Sequence, residues 1–188
     1  MAHLVLLTGP AGAGKSATAA VWAESQVEPA AHLCVDAVRH FVKSGYASPK
    51  QDYNAEAHRQ FELARGHCAL MAARYVDAGI SCIVDDLILP NTCSVVDHDS
   101  WVTALGGRNH TVVVLLPALD VVLRRNAERA DREPIPENMA RAIYELMSPW
   151  EHANGVAMID TSSMSPQEAA LSVGAVLEPR RLSSSSVE

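Results

Sequence analysis

Gly9-Pro-Ala-Gly-Ala-Gly-Lys-Ser16 matches the phosphate-binding pattern G-x-x-x-x-G-K-[ST] at every fixed position. The apolar run 3–7 precedes it and the alanine-rich run 17–24 follows, so the pattern has the strand-loop-helix setting its mechanism needs. Glycines let the backbone curl until successive N–H groups aim at phosphate oxygens, and the start of the next helix adds partial positive charge. Gly9, Ala11, Gly12, Ala13, Gly14, Lys15, Ser16 and Ala17 are the expected phosphate contacts. Lys15 is expected to reach the outer phosphates and the Ser16 hydroxyl to ligate Mg²⁺.

Working outward, the rest of the chain alternates short apolar runs with longer helical patterns. Residues 31–35 read as a short buried strand with Asp36 at its carboxyl end, and 36–44 read as a helix. Over 55–78, Phe61, Ala64, Cys68, Met71 and Tyr75 recur at steps of three and four, as one face of a long crossover helix requires. Strand 80–84 ends in Asp85-Asp86, and a loop through Pro90 and Asn91 leads to a helix over 92–105. The run 110–116 is the most β-branched in the chain and reads as a central strand, apolar on both faces. Helix 118–130, a charged loop, a helix opened by Pro136 and reaching Pro149 or Trp150, strand 156–159 and a helix with a capping-box start at Ser165 complete the pattern.

This alternation, without repeat or linker, predicts an α/β fold: a parallel sheet of about five strands with helices on both faces. Ligands of such sheets bind beyond the carboxyl ends of the strands. The phosphate loop, Asp36, Asp85 and Asp86 all fall there. One domain is expected over 1–179, with a disordered low-complexity tail over 180–188. Its 188 residues are 48% apolar, enough for a full core.

A formal charge of −7, from 22 acidic and 15 basic residues, argues against a broad nucleic-acid surface. Four cysteines, Cys34, Cys68, Cys82 and Cys93, contain no C-x-x-C pair, so neither a zinc site nor a disulfide framework is indicated. No apolar run approaches the ~18 residues of a membrane span, and a cytoplasmic location is expected.

Together these residues resemble a group of P-loop kinases that includes chloramphenicol phosphotransferases, the kinase domain of polynucleotide 5′-hydroxyl kinases and, more distantly, zeta toxins. Asp36-Ala-Val-Arg39 looks like the group's Asp-x-x-Arg, and Ile83-Val-Asp-Asp-Leu-Ile-Leu89 looks like the matching strand of chloramphenicol phosphotransferases. Residues 125–144 look most like the lid and following helix of polynucleotide kinases. The resemblance implies a P-loop NTPase fold with an arginine-bearing lid, ATP and Mg²⁺ as cofactors, and transfer of the γ-phosphate to a hydroxyl.

On that resemblance Asp36 is the expected base, with Lys15, Arg125 and Arg129 stabilising charge. One of Asp85 and Asp86 holds the metal, Asp85 being assigned to it with Ser16. Asp36, Arg39 and Asp86 are assigned to the acceptor, and Arg129 and Thr161 to the nucleotide. Each has a plainer alternative: Asp36 as a helix N-cap, Arg39 as a surface arginine, Asp160-Thr-Ser-Ser163 as an ordinary turn. Arg132 is a further lid candidate. Asp97-His-Asp99 reads as the solvated face of a helix, and His58 and His67 as surface groups. The expected acceptor is a small molecule, antibiotic- or nucleoside-like, with a polynucleotide kinase or an ATP-binding switch without acceptor as alternatives.

Overall fold

The computed structural model describes residues 2–48, 54–90, 97–129 and 134–178. The expected tail, Asn91, Cys93 and Arg132 lie outside them. Five strands form one parallel sheet, β1 Leu4–Thr8, β2 Ala30–Cys34, β3 Ser81–Asp85, β4 Thr111–Leu115 and β5 Val156–Ile159. Their order across the sheet is β2-β3-β1-β4-β5. The first strand thus lies in the middle, flanked by β3 and β4, and the chain leaves it at the point where successive connections diverge.

Among the described residues seven helices cover the sheet: α1 Lys15–Glu24, α2 Val35–Arg39, α3 Ala55–Asp77, α4 His98–Ala104, α5 Leu119–Ala127, α6 Glu137–Met147 and α7 Pro166–Leu177. Period-two alternation splits the central strands between two cores. Leu4, Leu6, Val112 and Val114 face one side with Phe61, Cys68 and Trp101. Val5, Leu7, Val113 and Leu115 face the other with Trp22, Ala170 and Val173. Burial on both faces is why β4 reads as an unbroken run of β-branched residues.

Several local expectations are corrected. The second strand is a half-buried edge strand, not a fully buried one. Its helix stops at Arg39 rather than Ser44, and it begins at Val35 with Cys34 in the cap position. Asp36 is therefore no N-cap. Asp97 lies at the N-cap of α4, where its carboxylate accepts from Ser100 N, and is buried rather than part of a solvated helix face. Pro136 occupies the cap position of α6, one residue before the first turn, and the helix ends at Met147 in a short 3-10 helix, Ser148–His152. The stripe of α3 runs through Ala57, Phe61, Ala64, Cys68 and Ala72, while Tyr75 is exposed. The capping box at Ser165 and Glu168 forms as expected. Among the described residues no helix is long and apolar enough to cross a membrane.

Candidate active site

The phosphate loop is held from both sides by distant chain. Gly9 has φ 150°, and a Cβ there would stand 2.3 Å from Leu115 O at the end of β4. Gly12 has φ 90°, and a Cβ there would stand 2.6 Å from Val122 O, on α5. Only glycine satisfies both the backbone angle and the contact at these two places. Thr161 Oγ1 donates to Ala13 O at 3.1 Å, which ties the loop to the turn after β5. Arg125, on α5, donates from Nη2 to Thr161 O at 3.0 Å, so the same turn is fixed to α5. Ala13, Gly14, Thr18, Arg125, Thr161 and Met164 line a shallow cavity beside the loop.

Lys15 opens α1, and its Nζ donates to Gly9 O at 2.7 Å and Pro10 O at 3.1 Å, bridging the loop. Burial holds its ammonium below the ordinary lysine range, against the pull of Asp85, Asp36 and Asp86, while Arg129 adds to the depression. Arg129 lies at the end of α5, just beyond the C-cap Glu128.

Asp85 and Asp86 are chain neighbours, so strand geometry sends their side chains to opposite faces. Asp85 Oδ1 accepts from Ser16 Oγ at 3.2 Å. Its other oxygen, Oδ2, meets His32 Nε2 at 2.5 Å, from the adjacent strand β2. Asp86 faces Arg65 and Trp101 instead: Arg65 Nε lies 2.6 Å and Trp101 Nε1 3.1 Å from Asp86 Oδ2. Asp86 is 5% exposed, and burial pushes its carboxyl up while Arg65 and Trp101 oppose that. The choice left open in the sequence between the two acids is thus made by the sheet: Asp85 faces the loop.

An oxygen pair from Ser16 and Asp85 is the donor set that suits a hard divalent cation, and the two atoms already converge. Mg²⁺ fits these residues. The strand end that carries them is fixed by Thr8, whose hydroxyl donates to Ile88 O and accepts from Ile88 N.

On the other side, Asp36 Oδ1 accepts from Arg39 Nη1 at 3.0 Å, and the Asp36 side chain keeps 46% exposure. Arg39 is 3% exposed, donates to Tyr46 Oη at 2.9 Å and lies 4.2 Å over the Phe61 ring. Two residues expected at the acceptor, Arg39 and Asp86, are therefore buried and engaged with protein groups. Sequence reading missed His32, Arg65, Tyr46 and Phe61. For His32 a signal existed, since it is the lone polar side chain in an otherwise apolar strand. For Arg65 none did, because a single arginine on a long helix is unremarkable until Asp86 is seen beside it.

The fold and the loop define a P-loop kinase-like phosphotransferase. The chloramphenicol phosphotransferase-like protein family matches residues 2–178, and the chain belongs to that family. Solved structures of the same fold include a sugar kinase from Janibacter sp. HTCC2649, with 16% identity, TM-score 0.65, and 94% of this chain and 95% of that one covered. A tunicamycin resistance protein of Deinococcus radiodurans aligns at 18% identity and TM-score 0.61, covering 93% and 95% of the two chains. A gluconokinase from Sinorhizobium meliloti 1021 aligns at 16% identity and TM-score 0.61, covering 92% and 91%. No curated protein matches the sequence.

Proposed function

We propose that this protein transfers the γ-phosphate of ATP to a hydroxyl of a small, uncharged molecule. The observation that carries the reading is the phosphate loop with Lys15 bridging it, Ser16 bonded to Asp85 at the end of β3, and Asp36 open to solvent just beyond the end of β2. Phosphoryl transfer asks chiefly for positioning and charge neutralisation, with one carboxylate beside the acceptor.

Asp36 is the base. Arg39 occupies one of its oxygens, and the carboxylate is half-exposed on the side where an acceptor can approach. The acceptor hydroxyl gives its proton to Asp36 as its oxygen bonds to the γ-phosphorus, and the bond from that phosphorus to the β,γ-bridging oxygen breaks to release ADP. Lys15 and the loop amides hold the phosphates, and Arg129 adds positive charge to the transferred group when its segment closes over the site. Ser16 and Asp85 would hold Mg²⁺, which when bound neutralises charge on the β- and γ-phosphates. Arg125 and Thr161 form the wall of the nucleoside site with Met164. Arg39 and Asp86 act behind the acceptor pocket as supports.

Arg39 also favours a small neutral acceptor over a polynucleotide. A cation buried against Phe61 and Tyr46 is poorly placed to grip a nucleic-acid phosphate, and the net charge of −7 repels one. The test is ADP release in the presence of hydroxyl-bearing compounds. Neutral sugars and uncharged antibiotics come first, in view of the neighbours' descriptions, with gluconate, nucleosides and 5′-hydroxyl oligonucleotides as further arms. Acceleration by a small neutral compound is expected. Acceleration by oligonucleotides alone would replace this reading with the polynucleotide kinase, and ATP turnover indifferent to every acceptor with the switch.

A further inference from the structure

At the far end of the sheet from the phosphate loop, two imidazoles face each other. His98 opens α4, and His110 immediately precedes β4, whose first residue pairs with Val5. Their Nε2 atoms are 2.9 Å apart. Both are half-buried, and the ring of His98 stands edge-on to Trp150 with centroids 5.7 Å apart, which limits its rotation.

The tautomers follow from the partners. His110 Nδ1 lies 2.9 Å from Arg108 O. A carbonyl only accepts, so Nδ1 carries the proton and the Nε2 lone pair of His110 points at His98. In the neutral pair His98 must then supply Nε2–H. This is the arrangement that orients metal-binding histidines, in which the remote ring nitrogen donates to a backbone carbonyl and leaves its partner nitrogen basic.

We propose that His98 and His110 form a two-imidazole chelate for a divalent transition-metal ion of the Cu²⁺ or Ni²⁺ type, separate from the Mg²⁺ position at Ser16 and Asp85. Two nitrogens each about 2.05 Å from one ion stand about 2.9 Å apart at a right angle and about 3.3 Å apart at the tetrahedral angle, so the hydrogen-bonded pair is already close enough for both rings to reach one ion with little side-chain movement. Imidazole nitrogens suit Cu²⁺ and Ni²⁺, and Cu²⁺ heads the divalent affinity order. Metal entry moves the His98 proton from Nε2 to Nδ1 through solvent and gives both Nε2 lone pairs to the ion, with no net proton release and no redox change. No cluster of three or more His, Cys, Asp or Glu residues occurs among the described residues, so water completes the coordination.

The experiment is calorimetric titration of Ni²⁺ into untagged, nucleotide-free protein. A His3→Gln background keeps exposed His3 from competing. One ion per chain is expected, with affinity falling at least about tenfold in His98→Gln and in His110→Gln, and unchanged in His58→Gln. Cu²⁺ electron paramagnetic resonance on the same background needs no chelate variant and should give coupling to two equivalent imidazole nitrogens. Wild-type affinity in both chelate variants, coupling to one nitrogen, or absence of saturable binding would each overturn the proposal.

Discussion

The two sides of this site are built on different principles. On the proposed nucleotide side the donors are contiguous in sequence, from Gly9 to Ala17, and much of the work would fall to backbone N–H groups whose direction is set by φ and ψ. On the proposed acceptor side Asp36 is positioned by Arg39, which is held in turn by Tyr46 and by Phe61 on another helix. Asp86 is likewise met by Arg65 from α3 and Trp101 from α4. The first kind of site is a local conformation that few residues can adopt. The second is a set of tertiary contacts, and it can be rebuilt residue by residue without touching the loop. A family can therefore keep one phosphate donor and change its acceptor.

The sharpest break between the sides is Asp36→Asn. The amide keeps an acceptor oxygen for Arg39 and replaces no cap, so melting should change by less than about 1 kcal/mol. Loss of the base should lower kcat on the best acceptor ~10²–10⁴-fold with ATP affinity unchanged. A variant retaining more than about a tenth of the wild-type kcat would remove Asp36 from the mechanism.

Next in size is Arg65→Met, a change of structure rather than chemistry. It leaves the Asp86 carboxylate buried without its ion pair, a cost of about 3–5 kcal/mol in unfolding free energy. Denaturant unfolding should recover most of that loss in the Arg65→Met, Asp86→Asn double variant. Equal stability of the two would mean that the pair contributes nothing to the acceptor wall.

On the loop side, Lys15→Met should cost ~10²–10³-fold in kcat/KM, since the phosphates lose their buried cation. The stability effect has the opposite sign. Burial lowers the folded pKa of Lys15 from 10.5, so below that folded value the charged lysine destabilises the native state, and the penalty fades as pH rises toward 10.5. The variant should melt no lower than wild type at neutral pH, with any advantage shrinking in alkaline buffer. Thermal melts across that range would refute the assignment if the advantage grew instead.

The smallest expected effect is at His32. Removing the group that holds Asp85 Oδ2 should weaken Mn²⁺ binding, read by electron paramagnetic resonance with a non-hydrolysed ATP analogue, by roughly 10–100-fold in His32→Ala. His32→Gln, which keeps a donor, should recover part of it. No change in either variant would leave Asp85 positioned by the strand alone.

The same contrast explains what could be read from the sequence. The loop, the strand before it, the helix after it and the five-stranded parallel sheet were legible, because each rests on short-range pattern and on strand or helix periodicity. Which of the two acids turns toward the loop was not, since adjacent Asp85 and Asp86 differ only in which face of the sheet they take. Arg39 looked like a ligand-gripping residue because its burial against Phe61 depends on a helix more than twenty positions away. The cap offered as the plainer alternative for Asp36 fails because helix starts are uncertain by a residue, and α2 begins one residue earlier.

The hydrogen bond from Thr161 to Ala13 spans 148 positions of chain. During synthesis the loop motif therefore leaves the ribosome well before the residue that fastens it, which emerges between β5 and α7. The nascent chain thus carries the complete loop sequence long before it can form the contact that anchors it.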